Sequence, residues 1–212
     1  MTSFFYKVNG VDYEVEVIYK HIKNVHYRFK DNKFVVTCNR FTSKRFIEKG
    51  LDKFAERLIK SDIKEPPFTD QYIYLFGNKY DLSYPGRIVI SDYPEIIYNS
   101  KEELKKKLRP IFTKILTERV RYYEKLMSAP SYKVGVRDMK SRYGSNSRYT
   151  KNMNFAFTLI HYSMPIIDSV VVHELAHIFV YNHSQKFYDV VYKYCPNYPA
   201  YRKMLIKGIY HD

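Results

Sequence analysis

The stretch Val170–Ser184, VVVHELAHIFVYNHS, decides how this chain is organised around a chemical centre. His173 and His177 are four residues apart, so on an α-helix they lie one turn apart on the same face. Two imidazoles placed in this way can both bind one zinc ion at about 2.0–2.1 Å. Glu174 leaves the helix about 100° from His173, where it can take a proton from a metal-activated water. The spacing predicts a zinc site with Glu174 as the catalytic general base.

The remainder of this stretch is almost wholly apolar, which predicts a buried helix. Ionisable side chains in such a helix are costly unless they are paired or bound to a metal. Asn182 indicates the end of the helix, so we expect His183 just past the turn, where the chain can bend back toward the metal. Three histidine ligands leave the fourth zinc position open for water, which is typical of catalytic sites.

Two other interpretations of the motif are open at this point. The histidines of a buried helix can be satisfied core residues that bind no metal. Alternatively, Cys195 can complete a closed, structural zinc site, but Glu174 would then have no role.

The helix predicted to follow the motif begins at Ser184, a residue that favours helix starts.

The motif also carries a family resemblance. HELAH, a histidine six residues after His177, and then Phe187 resemble the metal site of the YgjP-like metallopeptidases, relatives of the SprT-like zincins. The resemblance implies an α+β, zincin-like fold with an N-terminal antiparallel β/α region. It also implies one zinc ion per chain and a peptide or protein substrate.

A second segment, Arg142–Ser147 (RYGSNS), is similar to an Arg-Trp-Gly-Ser-Cys-Ser segment of the same family. Tyr143 replaces the tryptophan and Asn146 the cysteine. The segment lies in a predicted loop, 137–150, between strands at 132–136 and 153–158. A peptide could lie along an edge strand here, with Tyr143, Asn146 or Arg148 donating to the developing oxyanion. These three are the candidate substrate-binding residues, and an ordinary exposed loop is the alternative.

The resemblance favours a zinc-dependent metallopeptidase, and two alternatives remain. Relatives have been assigned nucleotide pyrophosphatase activity, so the chain can be a zinc hydrolase that acts on nucleotides. It can also be a nucleic-acid-binding protein whose zinc is structural.

The positive net charge of the chain is the reason to consider nucleic acid as a binding partner. The chain carries a net charge of +14, and residues 101–151 hold fifteen Lys or Arg and five Asp or Glu, a net +10. Such a field attracts nucleic acid or acidic protein. A solvated basic helix face is the simpler interpretation of this segment.

Periodicity predicts two regions, 1–65 and 68–212, with the linker at Glu65-Pro66-Pro67. The resemblance implies that 68–212 is the zincin-like catalytic region and one compact unit. The first region has two β-hairpins within 4–38 and a helix at 43–60. The second has short strands within 71–98, a helix at 101–127 interrupted or bent near Pro110, the motif helix from about Pro165, and a basic packing helix at 198–207. Leu104, Leu108, Ile111, Ile115, Val120 and Leu126 can line the buried side of the helix at 101–127, and the resemblance to zincin-type folds implies that this helix packs on the motif helix.

The number of cysteines and the hydropathy of the chain indicate the cellular location to expect for the protein. Cys38 and Cys195 are too few for a disulfide framework and fit a reducing compartment. The N-terminus shows no charged-then-apolar signal, and no apolar run approaches the roughly 20 residues of a membrane span. We therefore expect a cytoplasmic protein without a membrane partner.

Overall fold

The computed structural model describes residues 2–62, 65–90, 93–139 and 141–211. The chain forms two compact units, Met1–Glu65 and Pro66–Asp212, and each has its own hydrophobic core. Within the described ranges, no helix combines the length and the apolar character that crossing a membrane requires. Helices and strands are mixed in both units, which confirms the expected α+β class.

The first unit is a four-stranded sheet followed by a helix. Its elements are β1 (Thr2–Val8), β2 (Val11–Tyr19), β3 (His26–Lys30), β4 (Lys33–Cys38) and α1 (Lys44–Asp62). Both predicted hairpins are present and antiparallel, and the first turns at Asn9-Gly10 with positive φ angles of 49° and 85°. The two hairpins join through a parallel β2–β4 pairing, in the order β1-β2-β4-β3. The sheet is therefore mixed, and the expected antiparallel arrangement applies within each hairpin only.

The second unit contains the motif. Its elements are β5 (Tyr72–Leu75), β6 (Asn78–Asp81), β7 (Gly86–Ile88), β8 (Ile96–Tyr98), α2 (Lys101–Met127), β9 (Lys133–Arg137), β10 (Gly144–Ser147), β11 (Asn152–Ala156), a 3-10 turn (Phe157–His161), α3 (Met164–Phe179), α4 (Gln185–Tyr194) and α5 (Tyr198–Lys207). The strands β5 and β6, and likewise β7 and β8, form antiparallel pairs.

The long helix α2 begins with the predicted capping box. The Ser100 hydroxyl accepts from the Glu103 backbone N–H at 3.2 Å, and the Glu103 carboxylate accepts from Asn99 N–H at 2.9 Å. The helix is continuous through Pro110, so of the two effects predicted for this proline, an interruption or a bend, the interruption is wrong. The neighbouring Thr113 hydroxyl donates to the Arg109 carbonyl at 2.8 Å.

The buried side of α2 differs in part from the predicted one. Most of the buried residues recur at every fourth position, and the last one lies three residues further on. They are Leu104, Leu108, Phe112, Leu116, Val120, Glu124 and Met127. Ile111 and Ile115 are only partly buried, and Leu126 is 50% exposed. The packing of α2 on the motif helix α3 is confirmed. Asp168 of α3 accepts from Arg119 of α2 at 2.8 and 2.5 Å, which ties the two helices together.

The segment predicted as a loop, 137–150, contains the strand β10. It pairs antiparallel with β11, which pairs parallel with β9, in the order β10-β11-β9. The sequence of β10, Gly-Ser-Asn-Ser, has no apolar alternation, so tertiary contacts with β11 and α3 impose its conformation. The strand predicted at 153–158 ends at Ala156, where the 3-10 turn begins. As an edge strand beside α3, β10 brings its backbone to the motif.

Candidate metal centre

The three histidines of the motif converge. His173 and His177 lie on α3, and His183 lies between α3 and α4. One nitrogen of each ring lies within 4.8 Å of the others, and the Nε2 atoms of His173 and His183 are 3.2 Å apart. Helix α3 ends at Phe179, three residues before the predicted end, and this leaves room for the chain to turn back at His183.

The convergent group consists of imidazoles only. Among the described residues, no cysteine or carboxylate belongs to it. Cys195 is buried elsewhere as a free thiol, and burial raises its pKa to about 11. The alternative of a closed site completed by Cys195 therefore has no support in this geometry.

His173 is held in a defined orientation. Its Nδ1 lies 2.7 Å from the hydroxyl of Tyr198 at the start of α5, while its Nε2 faces the other histidines. Burial, together with His177 and His183, lowers the pKa of His173 to about 3. The ring is thus neutral at ordinary pH, and neutral imidazole is the form that binds metals.

Tyr198 was not identified from the sequence. It lies 25 residues from His173, in a helix expected only to pack, and no local spacing links the two residues. The richness in tyrosine was the one available signal, because a tyrosine can pack its ring and still offer its hydroxyl.

Phe187 of α4 forms an apolar wall for the imidazoles. Its ring centroid lies 4.9, 4.6 and 4.8 Å from those of His173, His177 and His183. Burial also lowers the pKa of His177, with the charge of His183 adding to the effect. The wall restricts the rings and keeps water from one side of them.

Glu174 lies beside the histidines and outside their group. Its side chain is only 6% exposed. Burial raises the pKa of Glu174 to about 8, and the positive charge of Arg142 opposes this rise. Gly144 of β10 packs directly against it, since a Cβ at that position would overlap the Glu174 carboxylate. The close approach of β10 therefore requires glycine at position 144.

The three candidate substrate-binding residues have protein partners. The Tyr143 hydroxyl lies 2.8 Å from that of Tyr162 and donates to the Leu205 carbonyl at 3.2 Å. The Asn146 amide donates to the Glu174 carbonyl at 2.7 Å. Arg148 donates to the carbonyls of His177 at 2.9 Å and Ile178 at 3.0 Å. The donor groups assigned to a substrate are thus bonded to the protein itself, those of Asn146 and Arg148 to the backbone of α3.

A cleft of about 520 Å³ lies over the histidines. It is lined by Ser141, Arg142, Tyr143, Gly144, Val170, His173, Glu174, His183, Tyr198, Arg202, Leu205 and Ile206. Tyr143 thus reaches the cleft, whereas Asn146 and Arg148 are not among its lining residues. Two of the three histidines, His173 and His183, therefore border the same space as Glu174 and two arginines.

A divalent transition metal fits this donor set. Three imidazole nitrogens converge, burial keeps His173 and His177 neutral, and His173 and His183 border the cleft, from which a substrate could approach. Such all-nitrogen sites suit zinc, and the absence of a fourth described protein ligand leaves a coordination position free.

The other histidines play no part in this group. His161 is buried, its Nδ1 lies 2.7 Å from the Tyr74 carbonyl, and burial lowers its pKa to about 4. His21, His26 and His211 are exposed. These are the surface or satisfied positions that the sequence predicts.

The family comparison agrees with this description. A family model described as "YgjP-like, metallopeptidase domain" matches residues 40–207. Among solved structures, the chain is similar to the metallopeptidase zymogen abylysin of Pyrococcus abyssi, with 16% identity and a TM-score of 0.42 over 46% of this chain and 97% of that one. It is also similar to the zymogen jannalysin of Methanocaldococcus jannaschii, with 18% identity and a TM-score of 0.41 over 44% and 96%. No curated protein sequence matches the chain.

Proposed function

Because this chain belongs to the YgjP-like metallopeptidase family, we propose that it hydrolyses peptide bonds with one zinc ion held by His173, His177 and His183. The observation that carries this proposal is the convergence of three imidazole nitrogens, two from one helix turn and one from the following loop. The catalytic region is the second unit, Pro66–Asp212, in which all the proposed site residues lie.

When bound, zinc would lower the pKa of a water molecule toward about 7 and polarise the scissile carbonyl. Glu174 is the general base in this proposal, because it lines the same cleft as His173 and His183 and does not belong to their group. It takes a proton from the attacking water and returns it to the leaving amine. A neighbouring cation would favour the ionised carboxylate, which opposes the effect of burial on Glu174.

The other residues of the centre hold this arrangement. Tyr198 orients His173, and Asn146 and Arg148 support the backbone of α3. We assign Asn146 and Arg148 to this support, in place of the oxyanion contact expected from the sequence. Tyr143 remains a predicted substrate contact, because its side chain borders the cleft. A substrate strand along the edge strand β10 would pass Glu174 at Gly144.

Metal content and turnover on matched variants test the proposal. Wild type should hold one zinc per chain by mass spectrometry, and His183→Ala much less. Glu174→Gln should keep the zinc and lose nearly all hydrolysis of a peptide library. His211→Ala, an exposed histidine outside the group, is the control and should match wild type. An active Glu174→Gln enzyme would exclude the general-base role, and wild type without zinc would exclude the metal site.

Nucleotide hydrolysis is the second candidate, because Arg142 and Arg202 border the cleft and could bind phosphates. It uses the same metal site on a different bond. Release of pyrophosphate from a nucleoside triphosphate, abolished in Glu174→Gln, would favour it over peptide hydrolysis.

A further inference from the structure

Two arginines of the second unit differ from all the others described there. Six arginines have a partner within the protein. These are Arg87 with Glu95, Arg109 with Asp138, Arg119 with Asp168, Arg121 with Glu124, Arg137 with Asn154 and Arg148 with the α3 carbonyls. Within the described ranges, neither Arg142 nor Arg202 has an ion pair or a hydrogen bond to another side chain. Both border the cleft over the histidines.

The two arginines approach the proposed centre from different elements. Arg142 precedes β10 and lies two residues before Gly144, the position packed against Glu174. Arg202 lies four residues after Tyr198 on α5, so both side chains leave the same face of that helix. One guanidinium thus flanks the general base and the other flanks the metal ligand His173.

Arg142 and Arg202 line the same cleft as Glu174 and His173. Glu174 is the only carboxylate among the described residues that line the cleft. The remaining walls are largely apolar or aromatic, and such walls focus the field of exposed charges.

This combination indicates what kind of group the cleft receives. A guanidinium binds a carboxylate with two parallel hydrogen bonds, and both arginines are exposed, so an incoming carboxylate can reach them. A triphosphate would bring about four negative charges to two arginines and the Glu174 carboxylate, with no lysine among the described lining residues. A single carboxylate needs only the two arginines, whereas a triphosphate would also need the charge of the proposed zinc ion.

We propose that Arg142 and Arg202 select peptide substrates that carry a carboxylate close to the scissile bond. That carboxylate belongs to an Asp or Glu side chain or to the C-terminus of the substrate. The proposal rests on the peptidase function proposed above and adds a substrate class to it.

Binding to zinc-loaded Glu174→Gln protein tests the selectivity without turnover. Three fluorescent peptides of one sequence serve as probes: one with a central Asp and a blocked C-terminus, one with Asn there and a blocked C-terminus, and one with Asn and a free C-terminus. We expect one of the two carboxylate peptides to bind at least about ten-fold more tightly than the neutral peptide. Which one does so identifies the source of the carboxylate. Equal affinities for all three peptides would overturn the proposal.

Matched substitutions assign the preference to the two arginines. Arg142→Ala and Arg202→Ala, each in the Glu174→Gln background, should reduce the ratio of acidic-peptide to neutral-peptide affinity measured on the same protein. Arg87→Ala, an exposed arginine outside the cleft, should keep the full preference. Far-ultraviolet circular dichroism and zinc content show that each variant is folded and loaded. A preference that survives in both cleft variants would overturn the assignment.

Turnover by the wild-type protein tests the carboxylate preference separately from the proposed peptidase function on which it rests. Cleavage of the neutral and acidic peptides with equal kcat/KM would leave the peptidase function standing and overturn the selectivity. Tighter binding of a nucleoside triphosphate than of any peptide, with no peptide cleaved, would overturn both and favour the nucleotide hydrolase.

Discussion

The ring of His173 has a partner at each nitrogen, with Tyr198 on one side and the other histidines on the opposite side. Hydrogen bonds behind a metal ligand fix its orientation, and their loss typically costs ten- to a hundred-fold in metal affinity. Tyr198→Phe should therefore bind zinc about ten-fold more weakly in a competition with a chromophoric chelator. The ring and its packing are kept in this variant.

The matching control is Tyr192→Phe on α4, which removes a hydroxyl from a partly exposed tyrosine next to Tyr198. Its zinc affinity should equal that of wild type. If Tyr198→Phe also keeps the full affinity, Tyr198 is a packing residue and does not position His173.

The sequence predicts the arrangement of site residues that are close together along the chain. It does not predict which distant residues join them. His173, Glu174 and His177 share one helix turn, so their spacing alone predicts their arrangement. Gly144 and Tyr198 reach the same centre from elements that only the tertiary fold brings together. Asn146 and Arg148 were placed near the site from the sequence but assigned to the substrate. Residue type cannot show whether a donor faces a ligand or a helix carbonyl.

Among the elements, α3 depends on Arg148 at its carboxyl end. The last carbonyls of a helix have no intrahelical donor, and a cation there also interacts favourably with the helix dipole. Arg148→Ala should lower the free energy of unfolding by about 0.5–1 kcal/mol, as measured by urea denaturation. Amide hydrogen exchange should become faster in the last turn of α3, around His177.

Arg137→Ala provides the comparison for this substitution. Arg137 is also exposed and bonds one side chain, Asn154, instead of the α3 backbone. Arg137→Ala should leave amide hydrogen exchange in α3 unchanged. Identical exchange in both variants would show that Arg148 does not stabilise the end of α3.

The sequence predicts the elements whose apolar residues have a clear period. It does not predict the elements whose conformation depends on contacts with neighbouring elements. The capping box at Ser100 and the apolar spacing of α2 predict its bounds correctly. Pro110 suggests an interruption because local rules disfavour proline inside a helix, yet burial of the α2 stripe keeps the helix continuous. The strand β10 has only polar residues and glycine, so no sequence period identifies it.

At the scale of the whole molecule, a count of charges describes the surface poorly. Several bases of the segment 101–151 are paired with acidic residues: Lys105 and Arg109 with Asp138, Lys107 with Glu103, Arg119 with Asp168, and Arg121 with Glu124. Asp168 lies outside the segment, so its compensation of Arg119 could not be counted from the sequence window. Association with nucleic acid stays a prediction, supported by net charge alone.

Acid should destabilise the second unit through His161. Burial lowers the pKa of His161 to about 4 in the folded chain, against about 6.5 when unfolded. Between these values the unfolded chain binds more protons, so acid favours unfolding. The contribution of His161 is complete above pH 6.5 and is lost as the pH falls to 4. The urea midpoint should therefore decrease between pH 7 and pH 5.

His161→Gln isolates this effect, because glutamine can donate to the Tyr74 carbonyl but cannot be protonated. The decrease between pH 7 and pH 5 should be smaller in this variant than in wild type, with both proteins in the same buffer and with the same zinc content. Parallel decreases in the two proteins would assign the acid sensitivity to other groups.

The all-imidazole composition of the centre has a consequence for redox chemistry. Thiolate ligands of metal sites are lost when peroxide converts them to disulfides or sulfenic acids. The group of three histidines contains no sulfur ligand among the described residues, and Cys195 of the same unit is a buried free thiol outside it. Burial keeps Cys195 in its thiol form, which reacts slowly with oxidants. If the histidines bind the proposed zinc, peroxide should release that ion more slowly than it releases zinc from a cysteine-ligated protein.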